Sequence, residues 1–140
     1  VPAGAAEDSV SFLASLSEKP IASTRAGVIH HSISGHFAYR RDNWKLILAS
    51  GSAGWTAPAR VKDGPVAQLY DMSADVGETK NLYLEKPELA KSLLAALEKD
   101  VMSGRSTDGP VSRNDVPVVL WKEKAGGAAP KKRAKKPKKK

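Results

Sequence analysis

Between Pro87 and Gly104, Leu89, Leu93, Leu97 and Val101 recur every four residues, and Ala90 and Leu94 widen the stripe. This spacing gathers the apolar side chains on one side of a helical turn, so it predicts an amphipathic helix over Pro87–Met102. The ends carry matching signals: Pro87 suits a first helical position, Glu88 the positive N-terminal end and Gly104 the C-terminal stop. A helix of this kind is held mainly by the apolar surface it covers, and the chain before it must supply that surface.

The upstream sequence reads as a run of short strands. Residues 25–33 carry Val28, Ile29 and Ile33, and Phe37–Arg41 follows after a Ser34-Gly35 turn. Asp42-Asn43 marks the next turn, and residues 44–49 are again apolar. Two short loops in succession imply antiparallel hairpins. Residues 50–65 are rich in Gly, Ala, Ser and Pro around a lone Trp55 and read as a long surface loop, and residues 66–71 as a fourth short strand. Residues 5–16 are a loop or a short helix, with Asp8 or Ser9 as a cap and Val10, Phe12, Leu13 and Leu16 as its apolar side. Gly109-Pro110 and Val116-Pro117 block helix near the end, leaving residues 118–121 as an edge strand or a strap. The predicted class is α+β: a small antiparallel sheet of about four strands packed by one amphipathic C-terminal helix.

Charge divides the chain unevenly. The net charge is +8, but eight of the 23 Lys and Arg residues lie in residues 130–140 beside no acid, and the other 15 balance 15 acids. The body, residues 1–124, is therefore one neutral domain. Residues 125–140 are a flexible linker and a disordered polycation, Lys131, Lys132, Arg133, Lys135, Lys136, Lys138, Lys139 and Lys140. The absence of cysteine excludes disulfides and thiol catalysis, and no apolar run is long enough to span a membrane.

One segment is unusually patterned: Leu69-Tyr70-Asp71-Met72-Ser73-Ala74-Asp75-Val76-Gly77-Glu78-Thr79-Lys80-Asn81-Leu82. Its Asp and Ser side chains can accept hydrogen bonds from following backbone N–H groups, Gly77 permits a positive φ, and Asn81-Leu82 restarts a packed stretch. The residues predict a tight polar turn between the last strand and the helix, a structural element rather than a reactive one.

This segment is similar to the C-terminal subdomain of sulfatases, the alkaline-phosphatase-like hydrolases of sulfate esters. The resemblance runs over roughly residues 5–118. It includes Ala6-Glu7-Asp8-Ser9, Val28-Ile29-His30-His31-Ser32, Phe37-Ala38-Tyr39-Arg40, Trp44-Lys45-Leu46-Ile47 and Gly104-Arg105-Ser106-Thr107 in the family's order. Val76 stands where many sulfatases have Pro. The resemblance implies a parent enzyme in which a Cys or Ser of a Cys/Ser-x-Pro-x-Arg motif becomes a formylglycine that attacks sulfur beside a calcium ion. Lys and His residues then stabilise charge and protonate the leaving group. Those parts belong to the family's large N-terminal domain, and neither they nor their motif occurs in this sequence. The opening of the sequence in mid-pattern likewise predicts a piece of a longer enzyme, inactive alone, completing the substrate cleft. The family's habits imply a periplasmic or secreted setting.

Candidate site residues are few. Thr56-Ala57-Pro58-Ala59-Arg60 imitates the nucleophile motif, but a Thr oxidised at Cβ gives a ketone and not an aldehyde. Of His30, His31 and His36, the first two are neighbours on a strand and point to opposite faces, so they cannot serve one site together. Either they are ordinary strand histidines, or one reaches the substrate at the rim shared with the N-terminal domain; His31 is the first candidate and His30 the second. No metal site is expected in this chain. Asp8, Asp42 and Asp71 read as solvated turn residues. The Lys-rich tail implies attraction to a polyanion, a sulfated polysaccharide if the chain serves a sulfatase. A reading of another class stays open: a stand-alone, non-catalytic α+β module whose tail binds nucleic acid or acidic glycan.

Overall fold

The computed structural model describes residues 8–11, 13, 16 and 25–122 of the chain. Strands β1 (Val28–His31), β2 (Phe37–Arg41), β3 (Trp44–Ile47) and β4 (Gln68–Asp71) precede one helix, α1 (Pro87–Met102). The strands form a single antiparallel sheet in the order β1-β2-β3-β4, which is the predicted α+β arrangement.

Local chemistry sets the turns. Between β1 and β2 the Gly35 N–H donates to the Ser32 carbonyl at 2.9 Å, with Gly35 at φ 76°. Asp42 takes φ 52° in the two-residue turn between β2 and β3, a conformation that Asp tolerates better than most side chains. The register places Tyr39 opposite Leu46 and Leu46 opposite Leu69. Phe37, Tyr39, Leu46 and Leu69 therefore share one face, and α1 lies across it with Ala90, Leu93, Leu97 and Val101 buried. The buried line runs through Ala90, while Leu89 and Leu94 pack against the core from its margins. Gly104 ends α1 at φ 68°, its N–H donating to the Val101 carbonyl at 3.1 Å.

Several boundaries differ from the sequence reading. β1 is shorter than residues 25–33, because Gly27 lies against the Tyr39 ring and Ser32 already opens the turn. Ile33, expected within that strand, is exposed in the turn. Leu48 and Ala49 extend beyond β3 as buried residues, and Val66 is exposed before β4 begins. Residues 118–121 form no strand; Leu120 and Trp121 lie on the core as a strap. The positive φ expected at Gly77 falls one residue later, on Glu78 at 55°. Leu13 and Leu16 are exposed, so they form no packed apolar side, and Phe12 lies outside the described residues. The linker and the Lys-rich tail also lie outside them. Among the described residues no helix is long and apolar enough to cross a membrane.

Candidate functional site

All the strands run alternately up and down, so β1 and β3 end where β2 and β4 begin. That end of the sheet carries His30, His31, the Ser32–His36 turn and the loop to β4. The patterned turn of residues 71–80 lies at the opposite end. Its role there is constructional. The Asp71 carboxylate accepts the Ser73 N–H at 3.0 Å and hydroxyl at 2.6 Å, which holds its carboxyl below the ordinary carboxylate range. Asp75 accepts the Lys80 N–H at 2.8 Å and the Thr79 N–H at 2.8 Å and is lowered for the same reason. Asn81 acts as a splice: its Oδ1 accepts from Leu69 N–H at 3.0 Å and its amide donates to the Ala67 carbonyl at 3.2 Å.

A cleft of about 400 Å³ opens along the β1 edge, between that strand, the C-terminal end of α1 and the segment that follows it. Ile29, His31 and Phe37 form its sheet wall, and Asp100, Val101 and Asn114 part of the other. His31 meets the Phe37 ring edge-on, with centroids 4.2 Å apart and planes at 62°. His31 is exposed, so its imidazole is open to a ligand entering the cleft.

The lip of the cleft is assembled from distant parts of the chain. The Asp8 carboxylate accepts the backbone N–H of Ser106 and its hydroxyl, the latter at 2.8 Å. These two bonds, with the Arg25 and Arg105 charges nearby, hold the Asp8 carboxyl below its ordinary range against a smaller opposing effect of burial. Arg25 also forms an isolated antiparallel bridge with Thr107. Arg105 staples its own loop: its guanidinium donates to the Thr107 carbonyl at 3.0 Å, the Thr107 hydroxyl at 3.0 Å and the Asp108 carbonyl at 2.9 Å. Gly109 beside it takes φ 147°, a backbone conformation that side chains rarely adopt and glycine adopts readily. The Asn114 amide donates to the Val101 carbonyl at 2.7 Å and closes the end of α1. Below the lip, the buried Tyr39 hydroxyl donates to Asp100 at 3.0 Å; burial first, then this bond, pushes the phenol up to about 12.

Of the candidate histidines, His31 lines the cleft, whereas the strand pleat turns His30 to the sheet face away from α1. His36 is buried, its Nδ1 3.2 Å from the Leu48 carbonyl, and it serves the turn. Asp42 and Asp71 are turn residues as expected, but Asp8 is a clasp across the lip. The polar neighbours Asp8, Arg25, Asp100 and Arg105 were missed as a group because only the fold unites them; two of them stand in segments that carried the family resemblance. Among the described residues no three His, Cys, Asp or Glu side chains are placed to hold a metal ion. Thr56 lies in an exposed loop where its carbonyl accepts the Ser52 hydroxyl.

No protein-family profile matches the chain, and the comparison with curated proteins gives no match. Among solved structures it is similar to a Bacteroides thetaiotaomicron chain labelled a 6S-sulfatase, described under the metabolism of multiple glycosaminoglycans. The two are 30% identical with a TM-score of 0.54, over 71% of this chain and 21% of that one. This chain thus spans about a fifth of the length of the sulfatase it matches.

Proposed function

We propose that the chain is the C-terminal subdomain of a sulfatase and that its β1-edge cleft completes the substrate pocket of a hydrolase of sulfate esters. The similarity to a sulfatase at 30% identity over 71% of this chain carries the reading. The cleft adds to it, with one exposed imidazole and two arginines gathered near the rim. In this reading His31 touches the sugar or leaving-group side of the substrate, and His30, on the other face, stands second. In this reading the partner is a nucleophile-bearing domain that supplies the formylglycine and the calcium ion. The 6S-sulfatase's glycosaminoglycan context makes a sulfated polysaccharide the substrate class we favour.

Sulfate release from a 6-sulfated glycosaminoglycan disaccharide tests the reading. A polypeptide joining this chain to a domain with Cys/Ser-x-Pro-x-Arg is expected to release sulfate, and His31→Ala in it to raise KM while leaving the fold intact. Unchanged kinetics in that variant would remove His31 from the substrate.

A further inference from the structure

We propose that the loop between β3 and β4 is a carbohydrate-stacking platform, with Trp55 as the surface on which a sugar ring of a sulfated glycan rests. The identity of the ligand rests on the sulfatase reading above.

Trp55 is 90% exposed, the most open of the large apolar side chains described. An indole presented in this way is a large amphipathic contact surface that nothing in the described fold covers. The loop that bears it is firmly built. The Ser52 N–H donates to the Pro58 carbonyl at 3.1 Å and the Ala53 N–H to the Ala59 carbonyl at 3.3 Å, tying its two limbs together. The Gly54 N–H donates to the Ser52 hydroxyl oxygen at 3.2 Å, directly before Trp55. Underneath, the Gln68 amide donates to the Ala49 and Gly51 carbonyls, each at 2.8 Å. Gly51 is packed so closely that a Cβ would stand 2.6 Å from the Pro58 oxygen, and Ala53 is buried. A loop already ordered in this way loses little entropy on binding.

Charge and position select the occupant. Residues 50–62 contain Arg60 and Lys62 and no acid, Asp63 being the first, so that stretch of the loop bearing Trp55 is net positive in sequence and favours an anionic occupant. The loop also leaves from the sheet end that carries His30 and His31. A pyranose ring offers apolar C–H faces to an indole and anionic sulfates to the cations, whereas a neutral protein surface uses only the first.

Indole N–H spectra of the 140-residue chain give separate signals for Trp44, Trp55 and Trp121, the Trp55 signal being assigned by its loss in Trp55→Phe. Titration with a 6-sulfated glycosaminoglycan tetrasaccharide is expected to shift the Trp55 signal saturably, its desulfated counterpart less, and inorganic sulfate not at all. Trp55→Ala should weaken tetrasaccharide binding about tenfold, read at about 0.3 M salt to screen the tail, with an unchanged circular dichroism spectrum. An equal response to the desulfated sugar upholds the platform and removes only the sulfate from its ligand. A silent Trp55 signal, or unchanged affinity in Trp55→Ala, assigns the indole to a protein contact and overturns the platform. Hydrolysis is read separately, by sulfate release, so the two readings fail independently.

Discussion

Asp8 and Ser106 stand 98 residues apart and share two hydrogen bonds at the lip of the cleft. Because the Asp8 carboxyl is lowered from an ordinary value of 3.8, its contribution to the folded state is complete above that pH and is lost on acidification below it. A lower protection factor for the Ser106 amide below about pH 4, and faster exchange at neutral pH in Asp8→Asn, is the expected result. Tyr39 has the opposite sign. Its phenol is raised from 10.0 to about 12, so it stabilises the fold below pH 10 and that contribution fades as pH rises toward 12. Tyr39→Phe should cost about 1 kcal/mol at neutral pH through the lost bond to Asp100, and should flatten the alkaline limb of stability seen by denaturant melts. At this scale the sequence was legible where a residue acts on near neighbours. The pleat separated His30 from His31, and Asp71 and Asp75 built their turn. It was not legible for Asp8, which looked like a solvated turn because its partner is remote, nor for Gly77, because Glu78 bears the backbone strain in its place.

The elements were the most readable level. The apolar period of α1 and its Pro and Gly punctuation marked Pro87–Met102, and short turns separated β1, β2 and β3. Leu97 is fully buried between α1 and the sheet, so Leu97→Ala should destabilise the domain by about 2–5 kcal/mol, measured by urea unfolding. Gly104→Ala is expected to cost more than the roughly 1 kcal/mol of a strained φ alone, since its Cβ would lie 2.8 Å from the Ser112 backbone. That substitution also presses on the loop that forms the cleft's lip, so it should alter His31 surroundings without touching them. Residues 118–121 could not be placed from sequence: a short apolar run serves an edge strand and a strap equally well, and only the position of Leu120 and Trp121 on the core decided it.

For the whole molecule, the family-like order of segments carried information that no single segment held. The patterned turn lies at the far end of the sheet from His31, and the cleft is built elsewhere. The tail adds a separate expectation: retention on a heparin-type column should be stronger for the full chain than for residues 1–124, and the difference should vanish as salt rises. Equal retention at low salt would remove the tail from glycan binding. In the proposed function this chain shapes a sulfatase's substrate cleft and needs another domain for chemistry. Sulfate release from a 6-sulfated disaccharide is the decisive measurement. Release is expected when the chain is joined to a Cys/Ser-x-Pro-x-Arg domain, and none from the 140-residue chain alone. Turnover by the isolated chain, or a joined polypeptide that binds calcium, carries formylglycine and still releases nothing, would contradict it.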